Sequence, residues 1–320
     1  MRVRPAVYHA GVKDRALLLR RLALASIVVN ITIVVTGGAV RLTGSGLGCP
    51  TWPRCEGNSF TPTGQLGLHS QIEFTNRMIT YLVGAVALAT LVVARRVVPE
   101  RRDVRGLAWA LFLGVPAQAV LGGVTVLTDL NPWIVMLHLM LSMGLVAGAT
   151  VLHGRLGEGD GPVVRRVVPR ARALALAVAG VTAVVLYLGT VVTGSGPHAG
   201  DADSPRTGLN TQTVSEWHAA AVFLLIALTL ATVMALAVSD AAPAARRAAA
   251  LLLAVQAGQA FIGFVQYATD VPAALVAAHM LGAGLRVVPP TRLVLTTRER
   301  PTPTPDTHRP LLASGAIPVP

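Results

Sequence analysis

Eight runs of roughly 20 apolar residues limit what this chain can fold into, because each is long enough to cross a bilayer as a helix. They lie at about 22–40, 72–94, 106–127, 133–153, 172–193, 214–238, 247–268 and 272–296. Lipid offers no hydrogen bonds, so the backbone of each run must satisfy itself, and an α-helical bundle follows. The eighth run is the most interrupted, by Arg286 and by Pro289-Pro290. With 53% of residues hydrophobic and 13% charged, the chain has too few ionic groups to coat eight helices against water. No small-residue cleavage site follows the first run, so it is expected to stay as a span.

The formal net charge of +12 raises the question of nucleic acid, and the placement of the charges answers it. Arg2, Arg4, Lys13, Arg15, Arg20 and Arg21 precede the first run; Arg95, Arg96, Arg101, Arg102 and Arg105 lie between the second and third. Arg155, Arg165, Arg166, Arg170 and Arg172 lie between the fourth and fifth, and Arg246 with Arg247 between the sixth and seventh. The alternate loops hold only Arg41, Arg54 and Arg206, beside Glu56, Asp129, Asp201, Asp203 and Asp270. This is the positive-inside distribution of a multi-pass protein with both termini in the cytoplasm, and not a basic face that reads bases. An odd number of spans would put one basic cluster outside, so the charges support eight independently of hydropathy. The expected organisation is a cytoplasmic leader at 1–21, an N-terminal four-helix half at 22–153, a linker at 154–171, a C-terminal half at 172–296 and a disordered tail at 297–320.

Within this frame one pattern occurs twice. Gln118-Ala-x-x-Gly122-x-Val124-x-x-x-Thr128-Asp129 precedes His138, and Gln259-Ala-x-x-Gly263-x-Val265-x-x-x-Thr269-Asp270 precedes His279, with every named position at the same offset. The long external loops also begin alike, with Thr43-Gly44-Ser45-Gly46 and Thr193-Gly194-Ser195-Gly196. Four spans per half is an even number, so both halves enter from the same side and the repeats are parallel. The expected fold is an all-α polytopic membrane protein whose eight transmembrane helices form two pseudo-symmetric parallel four-helix bundles.

Ionisable groups at membrane depth are functional suspects. His218 and His279 stand near the starts of the sixth and eighth runs, at matched depth on the outer side. Two histidines so placed on facing helices can ligate one haem iron from both sides. The bland alternative is a histidine hydrogen-bonded in a helix interface, and the pairing and the repeat weigh against it. His138 corresponds to His279, but Asn76 stands where a partner to match His218 belongs, and an amide is a poor iron ligand. The same helix reads Glu73-Phe-Thr-Asn76-Arg77, with His69 one turn earlier. Glu73 and Arg77, at i,i+4, form either a structural ion pair or a carboxylate site beside a cofactor or substrate. The second half has Ser215 opposite Glu73, so one half is expected to hold a permanent cofactor while the other does chemistry.

Cys49 and Cys55 are the only cysteines and lie in the first external loop, Cys49-Pro-Thr-Trp-Pro-Arg-Cys55. An oxidising exterior makes a disulfide the expectation, either a structural staple or a pair that exchanges with a thiol-redox partner. Without histidines nearby they do not make a zinc site. His198, in the second long external loop, is a weak candidate, and His9, His153 and His308 are incidental.

Together these residues resemble the haem A synthase family over roughly 20–296. The resemblance rests on Gly37-Gly38-Ala39-Val40-Arg41-Leu42-Thr43-Gly44-Ser45-Gly46 with the cysteine pair, on Glu73-Phe-Thr-Asn76-Arg77, and on His138, His218 and His279. It implies oxidation of the C8 methyl of haem O to the formyl group of haem A, for assembly of aa3-type oxidases in the plasma membrane. It implies a b-type haem held by His218 and His279 in the C-terminal half, and the substrate haem in the N-terminal half beside Glu73 and His138, with Arg77 next to the carboxylate. Many members carry histidine where this chain has Asn76; His69 then takes over as the second ligand, or His138 holds the iron alone. The implied partners are haem O synthase (protohaem farnesyltransferase), oxidase assembly factors and the bilayer itself; the reading leaves room for a homo-oligomer. The alternative from the residues alone is a di-haem, cytochrome b-like electron carrier, which normally needs a fourth histidine where Asn76 stands.

Overall fold

The computed structural model describes residues 5–63, 67–239 and 241–301, with side chains from Asp14 onward. Among these, eight helical stretches are long and apolar enough to cross a membrane. They are α1 (Pro5–Leu42), α2 (Gly67–Val97), α3 (Arg102–Leu127), α4 (Pro132–Arg155), α5 (Pro169–Ser195), α6 (Thr211–Ala237), α7 (Pro243–Ala268), and an eighth built from α8 (Ala273–Arg286) and α9 (Val288–Thr296). The protein is an all-α, multi-pass membrane protein. The segment read as a leader is helical from Pro5 on, continuous with the first span. The eighth span divides at Val287, because Pro289 and Pro290 have no N–H to continue the ladder and are accepted only in the first turn of a new helix. Proline opens α4, α5 and α7 in the same way.

Two large apolar cores form among the described residues, beside a small cluster of Met136, Val191 and Val214. One gathers Leu19, Ile27 and Val34 of α1 with Leu91, Val104, Leu111, Met143, Val146 and Leu152 from α2, α3 and α4. The other gathers Val178, Val185, Leu225, Leu236 and Leu252 from α5, α6 and α7 with Leu293 of α9. The halves meet where α1 lies against α8 and where α4 lies against α5 and α9. Outside the cores, Phe223, Phe261, Phe264 and Tyr267 are largely exposed; in a bilayer these faces meet acyl chains rather than water.

The repeated Val-x-x-x-Thr-Asp segments build the same turn twice. Thr128 and Thr269 each donate their hydroxyl to the carbonyl four residues back, Val124 and Val265, at 2.7 Å. Asp129 and Asp270 then enter the left-handed region with φ of 52° and 57°, followed by Leu130 and Val271 at 60° and 59°. The N–H groups of Leu130 and Val271 close back onto the carbonyls of Thr125 and Gln266 at 2.8 and 2.9 Å. This six-residue closure satisfies helix-end carbonyls and reverses the chain within a few residues. It fixes where α4 and α8 begin, and hence the depth of the histidine each carries.

At the opposite end, Arg155 is buried and pairs with both Asp103 and Glu158. The linker contributes β1 (Val164–Arg165), which pairs antiparallel with β2 (Arg298–Glu299). The carbonyls of Arg300 and Pro301 accept from Gly159 and Gly161 at 2.9 Å. The expected disordered tail therefore does not begin at 297: residues up to 301 are tied to the linker, and 302–320 lie outside the described residues.

Candidate functional site

Three histidines share one local environment. His138 on α4, His218 on α6 and His279 on α8 each follow their helix start by six or seven residues. At 1.5 Å per residue this puts the rings about 9–10 Å below the helix ends. Each ring packs edge-on against a glycine of the preceding helix: a Cβ on Gly122, Gly189 or Gly263 would stand 3.1, 3.2 or 3.3 Å from the Cε1 of His138, His218 or His279. In all three the Nδ1 is buried without a hydrogen-bond partner. With Nδ1 shielded, the chemistry of each imidazole is left to Nε2.

His218 and His279 line one open cleft, together with Met140 and Met143 of α4, Gly189 and Thr190 of α5, and Met280, Ala283 and Arg286 of α8. Its walls are mostly apolar with a few polar groups. A bis-imidazole donor pair in a methionine-rich apolar cleft fits a haem. Shielded Nδ1 atoms over glycine cradles fit the same group, since a side chain at those glycines would displace the rings.

In the first half the structure builds a different arrangement. Glu73 is 5% exposed. Its Oε1 accepts from Arg77 Nη2 at 2.6 Å and from Arg77 Nε at 3.1 Å, while its Oε2 accepts from the backbone N–H of Cys49 at 2.5 Å. Arg77 donates onward to the carbonyls of Cys49, Thr51 and Arg54 at 3.0, 3.1 and 3.1 Å. The ion pair expected from i,i+4 spacing is present, and it clasps the cysteine loop. Cys49 and Cys55 are joined as a disulfide, and both are fully buried.

The loop is held on two further sides. Gly48 lies so close to α2 that a Cβ there would meet the His69 carbonyl oxygen at 2.3 Å. Gly123 of α3 carries the Trp52 indole, which a Cβ would meet at 2.3 Å. Gly122, the next residue back, cradles His138. The loop that Glu73 clasps at Cys49 thus places Trp52 on Gly123, the residue after the glycine that cradles His138. Asn76 is half-buried, and its Oδ1 accepts from Thr36 Oγ1 at 2.7 Å. His69 is exposed in the first turn of α2, with Nδ1 at 2.9 Å from the Ser45 hydroxyl. Glu216 is exposed and accepts from Gln212 on its own helix. His198 is engaged structurally: its Nε2 bonds the Val271 carbonyl at 3.0 Å, and its own carbonyl accepts from Arg41.

Three participants escaped the sequence reading. Trp52 reads as one residue of a cysteine loop, although the adjacent Gly122-Gly123 pair signals a close approach. Gly189 has no counterpart in the repeated motif. Arg286 reads as an interruption of a span, yet it lies in the cleft.

The comparisons with known proteins agree with this architecture. The COX15-CtaA family model, described as cytochrome oxidase assembly protein, matches residues 20–288. The protein named heme A synthase of Symbiobacterium thermophilum is 31% identical over 182 residues, covering 54% of this chain and 58% of that one. The heme A synthase of Exiguobacterium sibiricum is 28% identical over 203 residues, 62% of this chain and 68% of that one. That of Methylobacterium radiotolerans is 31% identical over 156 residues, 45% and 42% of the two chains. The chain thus spans about two fifths to two thirds of the length of these relatives. With the family match extending over most of its length and all eight spans in place, the chain belongs to the COX15-CtaA family of cytochrome oxidase assembly proteins.

Proposed function

We propose that this protein is a haem A synthase, an oxidoreductase that converts the C8 methyl of haem O to a formyl group for aa3-type oxidase assembly. The observation that carries the reading is the cleft shared by His218 and His279 in a chain of this family. The reaction is consistent with the names of the relatives, and the membrane-spanning fold suits a substrate that bears a farnesyl chain.

The two halves divide the work as pseudo-symmetric four-helix units. In the C-terminal half, at 172–296, His218 and His279 hold a b-type haem, which supplies electron transfer when bound. In the N-terminal half, at 22–153, the substrate haem O is held through His138. Asn76 is committed to Thr36 and His69 to Ser45, which supports a single histidine ligand there. Glu73 and Arg77 have a double role: they position the disulfide loop, and through Trp52 that loop sets the floor under His138. Both termini lie in the cytoplasm and the bilayer is the plasma membrane, with haem O synthase as the upstream partner.

The test is the pyridine haemochrome spectrum of membranes expressing this chain with haem O synthase. A haem A band is expected. Membranes that accumulate only haem O, with the protein present and loaded, would remove the assignment. A di-haem electron carrier would bind protohaem in both halves under these conditions and leave haem O unchanged.

A further inference from the structure

Arg286 is the residue of the second half that the reaction leaves unexplained. It lies 14 residues into the 24-residue eighth span Ala273–Thr296, near the middle of that span. It is 3% exposed. Among the described residues it pairs with no carboxylate: its Nη2 makes one long contact, 3.4 Å, to Gln259 Oε1, and its Nε has no partner. A cation this deep is costly unless it meets an anion. It lines the same cleft as His218 and His279. Seven residues separate it from His279 on one helix, which is two turns, about 10 Å, along the same face. That is the order of the distance from a porphyrin iron to the carboxylates on its rim.

The first half does not repeat this feature. At the offset that aligns Gln118 with Gln259 and His138 with His279, Arg286 falls on Leu145. Gln118 there bonds Ser142 and the His138 carbonyl at 2.9 and 3.1 Å, and Leu145 packs against the apolar core. The other arginine near the cleft region, Arg41, already spends its donors on the carbonyls of His198 and Thr193. Arg286 is the guanidinium with capacity to spare.

We propose that Arg286 binds a propionate carboxylate of the haem held by His218 and His279, anchoring that haem as a resident group, and that Leu145 leaves the first half without such an anchor so that its haem can exchange. This rests on the second half being a haem site. It assigns retention to one half and release to the other through a single substituted position. A cation beside the haem also favours the reduced state, which carries less positive charge.

The experiment uses full-length protein produced in a haem-deficient host, purified in detergent and loaded with protohaem or with its dimethyl ester, whose carboxylates are masked. A charge-assisted bidentate contact predicts that wild type holds protohaem roughly ten- to a hundredfold more tightly than the diester. Affinity is read as transfer of pigment to apomyoglobin. Arg286→Gln should lose that preference and lower the midpoint potential while the low-spin bis-histidine spectrum persists; Arg286→Lys should keep part of both. Equal retention of the two pigments by wild type would overturn the proposal, as would an Arg286→Gln variant that kept the preference. A preference abolished by Arg41→Gln instead would reassign the anchor and equally overturn it. If Arg286→Gln fails to accumulate, the wild-type comparison of the two pigments decides alone. Failure of wild type to take up either pigment as a low-spin species would instead sink the haem reading itself.

Discussion

Replacing Glu73 by alanine tests whether this carboxylate holds the cysteine loop. Two losses follow directly from its contacts. The buried N–H of Cys49 loses its acceptor, which costs about 1–3 kcal/mol. Arg77 loses its carboxylate. Breaking a fully buried pair costs about 3–5 kcal/mol, but the Arg77 side chain is 19% exposed and keeps three loop carbonyls, so about 1–2 kcal/mol is expected here. The sum is about 2–5 kcal/mol, concentrated on the segment that carries Cys49, Trp52 and Cys55. Glu73→Gln keeps an acceptor for Cys49 and loses only charge, so it should cost about half as much. The assay is the rate at which dithiothreitol reduces the Cys49–Cys55 disulfide in native protein, followed by alkylation and mass spectrometry. Both sulfurs are buried, so reduction requires local opening, and its rate follows the opening equilibrium. At 1.4 kcal/mol per decade, Glu73→Ala should accelerate reduction by more than tenfold, Glu73→Gln by less, and Arg77→Ala by a comparable amount. A double-mutant cycle on Glu73 and Arg77 should show coupling well above 0.5 kcal/mol. An unchanged reduction rate in Glu73→Ala would refute the clasp and return Glu73 to a role in chemistry alone.

Gly189→Val should displace the His218 ring, because even a Cβ stands 3.2 Å from Cε1; loss of the low-spin haem spectrum with normal expression is expected, whereas Gly180→Val, with open space around it, should be silent. His279→Ala should abolish the same spectrum and leave the disulfide protected from reductant. Gly123→Leu must expel the Trp52 indole; overpacking of this kind costs about 1–3 kcal/mol, and the check is faster proteolysis after Arg54 together with lower haem A yield. Asn76→His removes the Thr36 contact and offers a second imidazole in the first half; the substrate haem should change from high-spin to low-spin and lose carbon monoxide binding, which absorption spectra of haem O-loaded protein read directly.

The local code of the chain determined much of this protein. Hydropathy yields eight spans because a membrane-crossing helix is set by a short window of sequence. The repeat yields the two matching Thr-Asp turns and the depth of His138 and His279, since a turn and the helix after it are set by a few consecutive residues. The cysteine pair, six positions apart, was legible for the same reason. Tertiary structure alone decided what those residues touch. Glu73 and Arg77 read as an ion pair on one helix, but their remaining hydrogen bonds go to a loop more than 20 residues away, whose path no periodicity encodes. Trp52 found Gly123 only because that loop folds back between helices. Arg286 looked like a flaw in a hydrophobic run; packing against α1 and α7 turned it inward to a cleft that also holds both histidines. Spacing along one helix states which face a residue shares, and only the packing of several helices states what that face encloses.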